Sequence, residues 1–311
     1  MPSEFELIAR YFERGTSHTV LGIGDDAALI APTPGHELVI STDLLVEGTH
    51  FLADTDPEAL GWKTLAVNVS DMAAMGARPR WATLAVALPD SIPEWIDAFA
   101  RGVFSCAETF GIDLVGGDTT RGPRAFCVTI LGEAPTGSAL RRDGAQVRDS
   151  IWVSGRPGRA ALGLAHLRGR TALSEPLLGE CLAALHRPQP RIALGLALRG
   201  VASAAIDVSD GLLADLGHIL ERSGRAARLH IPGLPAVGLE RDCVLAGGDD
   251  YELVFTASSA ADSDIAALSA VLELQLTRVG EIIAGPPGEL TLCDDSGLDI
   301  TPISRGYDHF K

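Results

Sequence analysis

Six short stretches of this 311-residue chain set aspartate beside glycine, serine or threonine. They are GIGDDAA at 22–28, ISTDLLVEGTHF at 40–51, NVSDMAAMGA at 68–77, GGDTTRG at 116–122, DVSDGL at 207–212 and GGDDYELVF at 247–255. Any one of them is ordinary turn chemistry, because Asp, Gly, Ser and Thr are what turns and helix N-caps use. Six together point to a second role. Hard cations take oxygen ligands, and magnesium in particular combines a few carboxylates with substrate phosphates and retained waters. The D-x-D-x-D-G spacing of a calcium loop is absent, and so is His-rich transition-metal spacing. Magnesium bound together with phosphate is the chemistry that fits.

Two features extend this to a nucleotide. The pairs Gly116-Gly117 and Gly247-Gly248 permit close backbone approach, and Ser209-Asp210 opens a helix whose free N–H groups would attract an anion. Phosphoryl transfer needs positioning and charge neutralisation more than a covalent nucleophile. The chain has no G-x-x-x-x-G-K-[ST], no V-A-I-K and no H-R-D, so neither common nucleotide-binding scheme applies. Only Lys63 and Lys311 are lysines; the other basic residues are arginines, an imbalance that a preference for arginine codons would also produce. Metal ions must then carry most of the positive charge, with Arg142 as a candidate additional phosphate contact.

The elements that would position these residues alternate. Ser3 and Glu6 form a capping box before an apolar face at Phe5, Ile8, Tyr11 and Phe12, which predicts a short first helix. ELVISTDLL reads as a strand running into Thr42 and Asp43. Asp56 as N-cap, Pro57 at the first helical position and Gly76 as the stop predict a helix that carries Asp71 late in its course. WATLAVALP, IDLVGGDTT and RAFCVTILGEA read as strands, and 93–110 as a helix ending at Gly111. The chain then turns polar and Gly/Pro-punctuated, which sets a boundary between domains at 1–137 and 138–311. A second α/β pattern follows, with strands at IWVSG, AIDVSD, YELVFTA, LTRVGEII and LTLCD. Two layered α/β domains are implied.

Composition bounds the partners. A hydrophobic content of 46% supports buried cores, and a formal net charge of −16 disfavours nucleic acid and anionic membranes. Five widely spaced cysteines without a C-x-x-C pair read as small buried hydrophobes in a reduced protein. No stretch reaches the roughly 20 apolar residues of a spanning helix, and the amino terminus lacks the pattern of a secretion signal. A cytoplasmic location is expected.

In order, FELIARYF, GIGDDAA, ISTDLLVEGTHF, NVSDMAAMGARP, GGDTTRGP, AIDVSDGL, GGDDYEL and the terminal GYDHF resemble the thiamine-monophosphate kinase family, within the aminoimidazole-ribonucleotide synthetase-like ATP-binding superfamily. The resemblance runs nearly end to end. It implies magnesium-assisted, in-line transfer of the γ-phosphoryl group of ATP to thiamine monophosphate, giving thiamine diphosphate. It also implies a homodimer in which the amino-terminal metal- and ATP-binding domains pair their sheets into a barrel, with a carboxy-terminal α/β domain. By position, Asp26, Ser41, Thr42, Asp43, Asp71, Asp118, Asp207 and Asp210 correspond to the magnesium ligands. Gly117, Asp118, Arg142 and Ser209 correspond to ATP contacts, and His50, Asp249 and Tyr307 to substrate contacts. Asp249 stands where the family often has glutamate. The resemblance implies no covalent catalytic residue, and His50 is favoured as a phosphate or ring contact over a general base, because the acceptor phosphate is already ionised. Selenophosphate synthetase would need a reactive cysteine or selenocysteine near the amino terminus, but the first cysteine here is Cys106; the hydrogenase-maturation relative would need a carboxy-terminal cysteine, but this chain ends YDHFK. Purine-pathway relatives are the enzymatic alternative. A non-catalytic protein binding nucleotide or divalent cation is the other.

Overall fold

The computed structural model describes residues 4–302 and 306–307, so Ser3 of the expected capping box lies outside the described residues. The chain divides into two compact units, 1–72 with 77–137, and 73–76 with 138–311.

In the first unit, helix α1 (Glu4–Leu7) passes directly into a wider π-helical turn over Ile8–Phe12, and Tyr11 and Phe12 are buried. A small antiparallel ribbon of β1 (Thr19–Leu21) and β2 (Leu29–Ile30) follows. The main sheet has four strands, β3 (His36–Val46), β4 (Arg78–Leu88), β5 (Asp113–Arg121) and β6 (Ala125–Pro135), in the order β3-β6-β4-β5. It is an open sheet with β3 and β5 at its edges. Between strands run α2 (Pro57–Ala74) and α3 (Pro93–Phe110). Asp56 caps α2 by accepting from the Ala59 N–H at 2.8 Å, and Gly111, at φ 67°, ends α3 in the left-handed conformation. The two helices meet at glycines: a Cβ on Gly61 would lie 2.0 Å from the Phe99 carbonyl, and one on Gly102 would lie 1.9 Å from that of Glu58. The Phe99 ring stacks on Phe126 of β6 at 4.5 Å, which seats α3 on one face of the sheet. The opposite face carries Leu38, Ile40 and Leu44, all exposed, with Ile40 at 61% and Leu44 at 54%.

The second unit contains β7 (Asp149–Ser154), α4 (Arg159–Leu167), α5 (Leu177–His186), α6 (Ile192–Ala197), β8 (Ala202–Asp207), α7 (Leu212–Ser223), β9 (Ala226–Leu229), α8 (Leu239–Ala246), β10 (Leu253–Ser258), α9 (Asp262–Val271), β11 (Leu276–Ile283) and β12 (Leu290–Leu292). Its six-stranded sheet has the order β12-β9-β11-β7-β10-β8, antiparallel except between β12 and β9. Every residue of β7 is buried. Apolar cores lie on both sides: Leu212, Leu216 and Ile219 of α7 pack with Ile151, Val153 and Ile206, while Leu194 of α6 and Ile265 of α9 pack with Trp152 and Phe255. Helices on both faces of the sheet bury all of β7 and most of β10, which explains why these two strands read as largely apolar runs. Among the described residues no helix is long and apolar enough to cross a membrane.

Candidate active site

In the first unit the register of the sheet sorts the acidic positions onto two faces. Asp43 pairs with Val128, Val128 with Leu84, and Leu84 with Gly117, so these four form one row across the sheet. The next row is Leu44, Cys127, Ala85 and Asp118. Successive residues of a strand face opposite sides, so Asp118 projects from the face opposite Asp43, at the other edge of the sheet. Thr42 shares the Asp118 face, where its hydroxyl lies 2.9 Å from that of Thr129.

Ser41 and Asp43 look the other way, toward α2. The Ser41 hydroxyl donates to the Asp71 carboxylate, and the Asn68 side-chain oxygen accepts from the Asp43 N–H at 3.2 Å. α2 is buried along 61–70 and comes out of the core at Asp71, which is half-buried. The Asp43 carboxyl is pushed up to about 7, first by burial and then by the charge of Asp71. Two carboxylates in a desolvated place cannot both ionise cheaply, and a divalent cation removes that penalty. Among the described residues no group of three or more His, Cys, Asp or Glu side chains is arranged to hold a metal ion. Two carboxylates and a hydroxyl are nonetheless oxygen donors of the kind a hard divalent cation takes. Asp26 is exposed, its N–H donating to the Asp25 carboxylate at 3.0 Å.

His50 follows β3. Its Nδ1 accepts from the Val46 N–H at 3.0 Å while its own N–H donates to the Val46 carbonyl at 2.9 Å. A neutral ring accepting at Nδ1 carries its proton on Nε2, which makes that edge a donor.

In the second unit two loops are laced together beyond the paired ends of β8 and β10, where Asp207 meets Leu253. The Val208 N–H donates to the Glu252 carbonyl at 2.8 Å, Tyr251 N–H to the Val208 carbonyl at 2.9 Å, and Asp249 N–H to the Ser209 carbonyl at 2.8 Å. The Tyr307 N–H reaches the Asp210 carbonyl at 2.9 Å. Asp207, Ser209, Asp210, Asp249 and the backbone of Tyr307 are thereby gathered in one place. Arg142 is exposed, and its carbonyl accepts from the Ser223 hydroxyl at 2.9 Å.

Residues 24–134 match the family of AIR synthase related proteins, N-terminal domain. The thiamine-monophosphate kinase of Salmonella typhimurium is 45% identical over 99% of this chain and 98% of its own. The chain belongs to the thiamine-monophosphate kinase family. The crystal structure of the thiamine-monophosphate kinase from Stenotrophomonas maltophilia superposes with a TM-score of 0.82 at 46% identity, covering 93% of this chain and 94% of that one. A structure of AaThiL complexed with AMPPCP and TMP matches with a TM-score of 0.77 at 31% identity over 93% and 92%.

Two expectations need correction. The N–H groups of Ser209 and Asp210 are not open to an anion: together with that of Gly211 they donate to one oxygen of Asp215, at 3.0, 3.1 and 3.1 Å. The helix itself starts only at Leu212. The paired glycines admit the protein's own chain. A Cβ on Gly117 would lie 1.9 Å from the Leu84 carbonyl, and one on Gly248 2.2 Å from the Ser209 carbonyl. Sequence reasoning also passed over Asp215 and Asp250. For Asp215 the signal was present: a carboxylate at helical spacing within the buried stripe of Leu212, Leu216 and Ile219 demands an internal partner.

Proposed function

We infer that this thiamine-monophosphate kinase family member phosphorylates thiamine monophosphate to thiamine diphosphate with ATP as the donor. The reading rests on the Asp43 and Asp71 carboxylates with the Ser41 hydroxyl between sheet and helix, a donor set suited to a magnesium ion and poorly stable without one. In this reading Asp26, Ser41, Thr42, Asp43, Asp71 and Asp118 of the first unit, and Asp207 and Asp210 of the second, are ligands of several magnesium ions, with Thr42 and Asp118 serving a different ion from Asp43 and Asp71 because they lie on the opposite face of the sheet. Bound magnesium would neutralise the polyphosphate and polarise the transferred phosphoryl group.

Gly117, Asp118, Arg142 and Ser209 are the ATP contacts, Ser209 through its hydroxyl because its N–H is taken by Asp215. An oxygen of the substrate phosphate attacks the γ-phosphorus in line, and the bond to the ADP oxygen breaks. The attacking oxygen is already ionised, so no side chain has to remove a proton. His50 donates from Nε2 to the substrate phosphate, consistent with Nδ1 being occupied by the Val46 N–H. Asp249 and the Tyr307 ring, 54% exposed, offer a counter-charge and a π face to the thiazolium cation.

A homodimer belongs to the same reading, with the face of Leu38, Ile40 and Leu44 closing a barrel against its copy; exposed apolar side chains on a sheet face are what such pairing buries. A cytoplasmic location belongs to the same reading, and none of the five cysteines is in a disulfide. The test is incubation of the purified protein with ATP, magnesium chloride and thiamine monophosphate. ADP and thiamine diphosphate in equal amounts are expected, with the reaction stopped by EDTA. ATP binding without thiamine diphosphate would leave the non-catalytic binding protein as the answer.

A further inference from the structure

Two buried carboxylates of the second unit lie beside the residues assigned to ligands without being among them. Asp215 is 3% exposed and Asp250 is 7% exposed. Burying a carboxylate is costly unless its hydrogen bonds repay the lost water. Asp215 concentrates three backbone bonds on a single oxygen, and all three come from consecutive residues, Ser209, Asp210 and Gly211. Asp250 spreads its bonds over both oxygens, one accepting from the Gly158 N–H at 2.6 Å and the other from the Ala160 N–H at 3.2 Å, at the start of α4.

The residues on either side of Asp250 adopt left-handed backbone conformations, Asp249 at φ 74° and Tyr251 at φ 53°. Each is unfavourable for a residue with a Cβ and persists only where the surroundings over-determine it. Here the determinants are the two bonds of Asp250 and the main-chain bonds of Asp249 to Ser209 and of Tyr251 to Val208. Glu252 secures the other end, accepting from Arg191 at 2.7 and 2.5 Å and from the Ser154 hydroxyl at 2.6 Å.

We propose that Asp215 and Asp250 are positioning residues for two different ligands: Asp215 sets Ser209 and Asp210 for the nucleotide and its cation, and Asp250 sets Asp249 for thiamine monophosphate. The assignment of ligands to Ser209, Asp210 and Asp249 rests on the function proposed above. The bonding patterns give the two sites different tolerances. An asparagine at 215 keeps one carbonyl oxygen for all three N–H groups and loses only the charge. An asparagine at 250 must turn its NH2 toward either Gly158 or Ala160, setting a donor against a donor.

Steady-state kinetics of the full-length chain separate the two roles. Asp215→Asn raises KM for MgATP about threefold, since charged acceptors bond roughly twice as strongly as neutral ones. Asp215→Ala raises it about tenfold or more, and both variants leave KM for thiamine monophosphate within about twofold. Asp250→Asn gives the mirror image, about tenfold in KM for thiamine monophosphate and within about twofold for MgATP. Thermal midpoints are recorded alongside, and where Asp215→Ala does not fold, the smaller rise in Asp215→Asn carries the same reading. Both KM values moving together in every variant, or neither moving while the midpoint falls, overturns the proposal in favour of a purely structural role. A wild-type chain that binds MgATP but never yields thiamine diphosphate overturns the proposed function and the Asp250 role with it. The Asp215 role is then read from the calorimetric Kd for MgATP, where about tenfold weakening in Asp215→Ala is expected and an unchanged Kd refutes it.

Discussion

The backbone N–H of Tyr307 donates to the carbonyl of Asp210 at 2.9 Å, fastening the carboxy-terminal segment to the DVSDG turn 97 positions earlier. The bond uses main-chain atoms alone, so the ring can be removed without breaking it. Tyr307→Ala is expected to raise KM for thiamine monophosphate roughly fivefold, about 1 kcal/mol of cation–π attraction, with kcat and KM for MgATP little changed. Equal KM values in variant and wild type would place the ring away from the substrate.

The Asp43 and Asp71 pair is expected to trade stability for function. Asp43→Asn removes one member of a like-charged, desolvated pair, so in EDTA the thermal midpoint stays level or rises. Turnover at saturating magnesium should fall by a factor on the order of 100 to 1,000. Differential scanning fluorimetry and a coupled ADP assay on one preparation give both numbers. A large fall in midpoint with activity retained would contradict the assignment.

Acid stability of the first unit should depend on Asp113 and Glu133. Burial pushes both carboxyls up, but hydrogen bonds outweigh it. The N–H of Ser17, the Thr19 hydroxyl, the His18 N–H and the charge of His18 hold Asp113 below the usual carboxylate range. The N–H and hydroxyl of Thr33, together with Arg80, hold Glu133 below it. A depressed folded-state value stabilises above the unfolded-state value, about 3.9 for Asp and 4.3 for Glu, and that contribution disappears as pH falls through the folded value. Asp113→Asn should therefore lower the midpoint at pH 7 and converge on wild type in acid. Thermal melts from pH 7 downward check this; a constant gap at every pH would refute it.

The exposed apolar face of the four-stranded sheet gives a direct test of assembly. Ile40→Glu places a charge beside Leu38 on that face and is expected to shift a dimer to monomer in multi-angle light scattering. Wild-type protein running as a monomer at micromolar concentration would remove the basis for the barrel.

Much of the local structure is legible in the residues. Asp56 with Pro57 marks the start of α2, and Gly111 stops α3, because caps are satisfied within a few residues of themselves. The acidic turns are equally visible as types. Their partners are not: Asp250 reaches Gly158 across 92 positions, and Asp113 reaches Ser17 across 96. The short ribbon of β1 and β2 carries too few residues to display a period.

The sequence by itself determined where the chain presents carboxylates, that lysine could not supply the positive charge, and to which family the ordered motifs belong. Only the tertiary structure decided what each carboxylate faces. Side chains alternate along a strand, so the pairing of distant strands places Asp43 toward α2 and Asp71 while Asp118 looks out from the other face. The same long-range packing turned Asp215 and Asp250, identical in type to the acids around them, inward as acceptors for the backbone. Residue type is local chemistry; its role here follows from which distant N–H group or carboxylate folding brings beside it.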